Sequence, residues 1–157
     1  MNIFLLLFAA AAIAKTTPTK VFKDPKSQCQ VRQFGGANDG DYPGYKIYRK
    51  SKLLFPLKYD GVLSVLFSPS GTYIALGNSE MDSFGKSNLL IVNCGSGAKK
   101  GFVAASCSIT SGEEACIGNT AEPKSWSADE RSLKYTAHVD GKDRTETLVF
   151  GAKNSLP

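Results

Sequence analysis

From residue 45 onward the chain alternates short apolar runs with turn clusters. The runs are 45–49, 53–57, 62–67, 72–76, 88–93, 101–107, 115–118, 132–139 and 144–150. Between them lie Asp60-Gly61, Pro69-Ser70-Gly71, the segment 82–85, Gly95-Ser96-Gly97, Ser111-Gly112 and Asp140-Gly141. No stretch of a dozen residues carries the 3.6-residue period of an amphipathic helix. Strands at this spacing predict an antiparallel all-β domain. Leu89-Leu90-Ile91-Val92 is continuously apolar, which predicts a strand buried on both faces, and 62–67 is nearly so. The runs 132–139 and 144–150 are more mixed and are expected nearer a sheet edge, joined by Asp140-Gly141 as a tight hairpin.

The N-terminus breaks this pattern. Residues 1–14 form one apolar run ending in Ala12-Ile13-Ala14. The run is shorter than the roughly 20 apolar residues that span a bilayer. It matches a signal-peptide core followed by a small-x-small cleavage site, with cleavage expected between Ala14 and Lys15. The expectation is therefore a secreted or periplasmic protein with no membrane association after cleavage. The remaining 157 − 14 = 143 residues suffice for one domain. Residues 15–44 are rich in Pro, Gly, Lys and Gln, and are expected to be extended or poorly ordered; 45–157 is expected to form a single β domain.

Export changes the meaning of the four cysteines, Cys29, Cys94, Cys107 and Cys116. An even count in an exported chain favours two disulfides, and the Ser111-Gly112 turn favours Cys107–Cys116 beside Cys29–Cys94. A zinc site is disfavoured, because no C-x-x-C occurs and His138 is remote in sequence from the cysteines. The net charge of +5 gathers at 15–26 and at Lys46, Arg49, Lys50, Lys52 and Lys58, where Tyr45, Tyr48 and Phe55 interleave. Such a stretch suits an anionic partner or an ordinary solvated strand surface. Export argues against a nucleic-acid role.

Catalytic patterns are sparse. His138 is the lone histidine and stands between Ala137 and Val139 in a strand run, a surface rather than a general-base position. Ser-x-x-Lys occurs at Ser83–Lys86 and Ser96–Lys99, both in turns. The carboxylate pairs Asp39/Asp41, Glu113/Glu114, Asp129/Glu130 and Asp140/Asp143 also fall in turns. Asn38-Asp39-Gly40-Asp41 lacks the remaining ligands of a calcium loop. Gly95-Ser96-Gly97 precedes no helix, so it is a turn rather than a phosphate loop. No cofactor and no enzymatic activity are expected.

One internal similarity stands out. Phe67-Ser68-Pro69-Ser70-Gly71-Thr72-Tyr73-Ile74 and Trp126-Ser127-Ala128-Asp129-Glu130-Arg131-Ser132-Leu133 share the order aromatic, Ser, turn, strand, at an offset of 59 residues. Pro presets φ and Gly permits a positive φ in such a turn. Trp126 reads as a core anchor at a strand end. These residues resemble the blade repeats of TolB-like β-propellers and of peptidase propeller domains. The resemblance implies antiparallel four-stranded blade-like sheets at 62–107 and 124–150, with a small β-sandwich or barrel as the alternative. Propellers usually carry four to eight blades. The resemblance thus implies a homo-oligomer that completes a ring, a blade motif borrowed by another small β fold, or a piece of a longer propeller. The shorter Ser70-Gly71-Thr72-Tyr73 resembles the inserting loop of periplasmic lysozyme inhibitors.

Loops on a rigid sheet commonly carry recognition. The leading expectation is a non-enzymatic binding protein for a protein or polysaccharide partner, with contacts from Ser70, Gly71, Tyr73, Tyr42 and Tyr45 and from loops 38–45 and 82–86. The alternatives are a lysozyme-inhibitor-like protein and the propeller part of a secreted peptidase-type enzyme.

Overall fold

The computed structural model describes residues 17–35, 44–57, 64–77, 87–102, 120–139, 141–151 and 155–157. Eleven strands and no helix occur among them: β1 (Lys20–Lys23), β2 (Cys29–Phe34), β3 (Gly44–Arg49), β4 (Lys52–Leu57), β5 (Ser64–Phe67), β6 (Tyr73–Gly77), β7 (Leu89–Asn93), β8 (Lys99–Phe102), β9 (Thr120–Trp126), β10 (Ser132–Val139) and β11 (Lys142–Val149). They form three antiparallel sheets, each a meander of consecutive strands. Sheet 1 is β1-β2-β3-β4, sheet 2 is β5-β6-β7-β8 and sheet 3 is β9-β10-β11. The all-β expectation holds, and no closed barrel is seen among the described residues.

Sheet 2 is the middle layer. Strand side chains alternate between faces, and the apolar run of β7 uses both. Leu90 and Val92 join Ile74 and Leu76 against Val31, Tyr45, Ile47 and Leu57 of sheet 1. Leu89 and Ile91 join Ala75 and Phe102 against Ala121, Leu133, Tyr135 and Ala137 of sheet 3. Residues Leu89 to Val92 are accordingly all buried. The Cys29–Cys94 disulfide, with a sequence separation of 65, ties sheet 1 to sheet 2 in the first core. Cys107 and Cys116 lie outside the described residues.

Three features depart from the expected pattern. The N-terminal segment expected to be extended or poorly ordered supplies β1 and β2, paired in register from Lys20↔Gln33 to Lys23↔Gln30. The β domain therefore begins well before residue 45. Second, Trp126, read as a core anchor at a strand end, closes a seven-residue strand, β9, that runs through Pro123 and was not among the expected apolar runs. β9 is an edge strand, where a missing N–H is tolerated. Third, of the pair expected near an edge, β10 is the centre of sheet 3 and β11 alone is an edge strand. The β10–β11 register closes at Val139↔Lys142, the spacing of a two-residue hairpin, and Gly141 takes φ 73°.

Candidate functional site: the turn end of the stack

Each sheet opens with a strand, a four-residue turn and a second strand. The three turns share one backbone bond, in which the fourth N–H reaches the first carbonyl. These are Ser27 to Asp24 at 3.0 Å, Gly71 to Ser68 at 2.8 Å and Glu130 to Ser127 at 3.0 Å. In the last two turns the match extends further. Ser68 N–H donates to the Tyr73 carbonyl and Ser127 N–H to the Ser132 carbonyl, both at 2.9 Å. The Ser68 hydroxyl accepts from Tyr73 N–H at 3.0 Å, and the Ser127 hydroxyl from Ser132 N–H at 2.9 Å. Gly71 and Glu130 occupy the same place with φ of 73° and 57°.

Stacking the sheets gathers these turns at one end of the molecule. Ser70 N–H donates to Glu130 Oε1 at 2.6 Å, joining the turns of sheets 2 and 3. Gly71 lies against the turn of sheet 1: a β-carbon there would stand 2.5 Å from the Lys26 carbonyl carbon and 2.6 Å from Ser27 N. The disulfide lies below this contact, with Cys94 N–H bonded to the Thr72 carbonyl at 2.8 Å. Arg49 also donates to the Gly95 carbonyl, fixing sheet 1 to the loop after β7.

Two clefts flank the Ser70–Glu130 bridge. The larger, about 570 Å³, is lined by Tyr73, Asp129, Glu130, Arg131, Phe150, Gly151, Ser155 and Leu156. The smaller, about 150 Å³, is lined by Lys26, Gln28, Ser70, Gly71, Thr72, Cys94 and Gly95. Behind the larger cleft, Trp126 stacks between Tyr73 at 6.1 Å and Phe150 at 5.6 Å, centroid to centroid. The C-terminal residues close one side: Pro157 O accepts from Asn93 Nδ2 at 3.1 Å, and Lys100 Nζ donates to Ser155 O at 3.1 Å.

The two carboxylates of the sheet 3 turn, Asp129 and Glu130, are held ionised. Bonds from the Ser127 hydroxyl and the Arg131 N–H lower Asp129 from its ordinary 3.8. For Glu130 burial acts in the raising direction, but bonds from Ser70 and Ser68 outweigh it and the net shift is downward from 4.5. Neither is poised to donate a proton near neutral pH. His138 sits at the far end of β10, six residues from Ser132, with Nδ1 2.7 Å from Asp143 Oδ1 on the neighbouring strand. At about 3.3 Å per strand residue that places it roughly 20 Å from the turns. Among the described residues no cluster of His, Cys, Asp and Glu could hold a metal ion.

Of the residues singled out from sequence, Ser70 and Gly71 line the smaller cleft and Tyr73 the larger. Tyr45, expected at the binding surface, is 3 % exposed and packs between sheets 1 and 2, where its ring anchors the core. Tyr42 and the loops 38–43 and 82–86 lie outside the described residues. Sequence reasoning missed Asp129, Glu130 and Arg131 as cleft residues, and the whole first turn. The available signal for that turn was Asp24-Pro25, with Asp at its first position and Pro at its second. No family model, curated protein or solved structure matches the chain.

Proposed function

We propose that the protein is an exported, non-enzymatic binding protein that recognises another macromolecule through the turn end of its three-sheet stack. One observation carries this reading. Three turns distant in sequence, each closed by its own backbone hydrogen bond, meet through the Ser70 N–H bond to Glu130 and the close approach of Gly71 to Lys26 and Ser27, and two clefts lie beside them. Such a surface loses little conformational freedom on binding, which favours affinity. The larger cleft adds aromatic wall, two ionised carboxylates and Arg131, a mixture suited to a polar partner with apolar faces. Three successive meanders stacked face to face support a blade-like reading. Export is supported by the signal-like N-terminus, and the disulfide is compatible with it.

The inhibitor reading has less support. A loop that inserts into an enzyme cleft must protrude, whereas Ser70-Gly71 is clamped between the turns of sheets 1 and 3.

A photo-crosslinking residue placed at exposed Thr72, in the exported fraction of the native host, tests the reading. The expected result is a discrete adduct that is absent when the same residue replaces exposed Thr147 on β11. Equal adducts from both positions, or none from Thr72, would overturn it.

A further inference from the structure

The outward face of sheet 1 stands apart from the turn end and carries its own chemistry. Val31 and Ile47 point into the core, so their strand neighbours Arg32 and Lys46 point outward. Among the described residues up to Leu57, eight are lysine or arginine and one, Asp24, is an acid. Asp24 belongs to the turn, where its carboxylate accepts from Lys26 N–H at 2.8 Å. No Asp or Glu among the described residues stands on the outward face.

Arg32 and Lys46 are direct cross-strand partners. Like charges in that position repel. Each is drawn aside over a ring: the Arg32 guanidinium is 4.1 Å from the Tyr48 centroid, and Lys46 Nζ is 4.7 Å from the Phe34 centroid. Arg32 Nε donates to Gln30 Oε1 at 3.2 Å, and Gln30 Nε2 is anchored on the Lys50 carbonyl at 2.7 Å. The guanidinium is thus held from below and from one edge, while no acceptor among the described residues meets its two amino groups. Exposed Val21 and Leu53 border these cations. The outward face of sheet 3 differs, for it carries acids beside its cations: Lys124 Nζ lies 2.6 Å from Glu122 Oε2, and His138 Nδ1 lies 2.7 Å from Asp143 Oδ1.

We propose that the outward face of sheet 1 binds a linear carboxylated polysaccharide. A planar guanidinium whose two amino groups meet no acceptor among the described residues matches a carboxylate in a bidentate fork. Lys46 supplies a second charge one strand away, and Val21 and Leu53 offer apolar contact to sugar C–H faces. Single-stranded nucleic acid is disfavoured because Tyr48 and Phe34 already carry cations on their faces, leaving them unavailable for base stacking.

The test is calorimetric titration of the full mature chain with oligogalacturonate at two salt concentrations. The expected result is saturable binding that weakens with salt and is absent with neutral dextran. Arg32→Glu with Lys46→Glu should weaken it at least about tenfold, the loss of one charge-assisted contact or more. Lys134→Glu with Lys142→Glu on sheet 3 changes net charge equally and should leave binding within about twofold. Arg32→Lys alone keeps the charge, is expected to fold normally and should still lose affinity, because the fork is gone. Absence of oligogalacturonate binding would overturn the proposal, as would an equal loss from the sheet 3 pair. Tighter binding of oligo(dT) would replace it with nucleic-acid binding. Self-association by light scattering that is abolished by Arg32→Glu would replace it with a second copy of the chain.

Discussion

Replacing Gly71 with alanine separates two costs that the structure makes distinct. The first is conformational: φ is 73°, where a β-carbon is disfavoured by about 1–2 kcal/mol. Restriction of the unfolded chain returns about 0.4–1 kcal/mol. The second is steric: the new atom would stand 2.5–2.6 Å from the backbone of Lys26 and Ser27, so one turn must move away from the other. Forced repacking of this kind costs about 1–3 kcal/mol. Gly141→Ala is the internal control. Its φ is also 73°, but a β-carbon there meets nothing within 4 Å. Gly141→Ala should therefore cost about 0.5–1 kcal/mol and Gly71→Ala about 2–4 kcal/mol. Urea unfolding under non-reducing conditions reads the difference. With a slope near 2 kcal/mol per molar, Gly71→Ala should unfold about 1 M earlier than Gly141→Ala. Equal midpoints for the two variants would refute the contact between the turns of sheets 1 and 2.

Three further outcomes follow from the same geometry. Replacing Cys29 and Cys94 together by alanine opens a closed loop with a separation of 65 residues and should cost about 4 kcal/mol, measured as a fall in the non-reducing urea midpoint. Glu130→Gln keeps an acceptor for Ser70 but loses the charge, costing about 0.5–1 kcal/mol at neutral pH for this solvent-facing bond. Because the folded pKa of Glu130 is depressed, its stabilisation is present above the unfolded value near 4.5 and is lost as pH falls through the folded value, so stability curves of wild type and Glu130→Gln should converge in acid. Tyr135 behaves in the opposite sense: burial, then its 2.8 Å bond to Glu146 and that charge, push its phenol above the usual tyrosine value of 10.0. Stability due to the protonated phenol is complete below that value and falls as pH rises beyond it, so Tyr135→Phe should show a shallower alkaline decline than wild type in pH-dependent melting.

What could be read from sequence was what depends on neighbours in the chain. Leu89 to Val92 announced a strand covered on both sides because four consecutive apolar residues leave no solvent face. Pro69 and Gly71 announced a turn because their backbone preferences are local. Phe67–Ile74 and Trp126–Leu133 share a residue order and their two turns share a hydrogen-bond pattern, even though Glu130 stands in place of glycine at a positive φ. The first turn escaped notice because β1 has four residues, of which Val21 and Phe22 alone are apolar. Its order comes from pairing with β2 and from the core behind Phe22, which are tertiary effects. The larger cleft was hidden for a similar reason. Asp129 and Glu130 look like ordinary solvated turn acids until sheet packing brings Glu130 to Ser70, 60 residues away.

The middle layer of the stack is covered on both faces, and the turns of the three sheets meet at one end. Native-state hydrogen exchange of the oxidised protein measures this directly, residue by residue. Amides of β6 and β7 should exchange only through global unfolding. The donors Gly71, Tyr73, Glu130 and Ser132 should be protected well above the Gly141 amide in the β10–β11 hairpin. Turn amides exchanging as fast as that hairpin, or β7 exchanging as fast as β11, would contradict this packing.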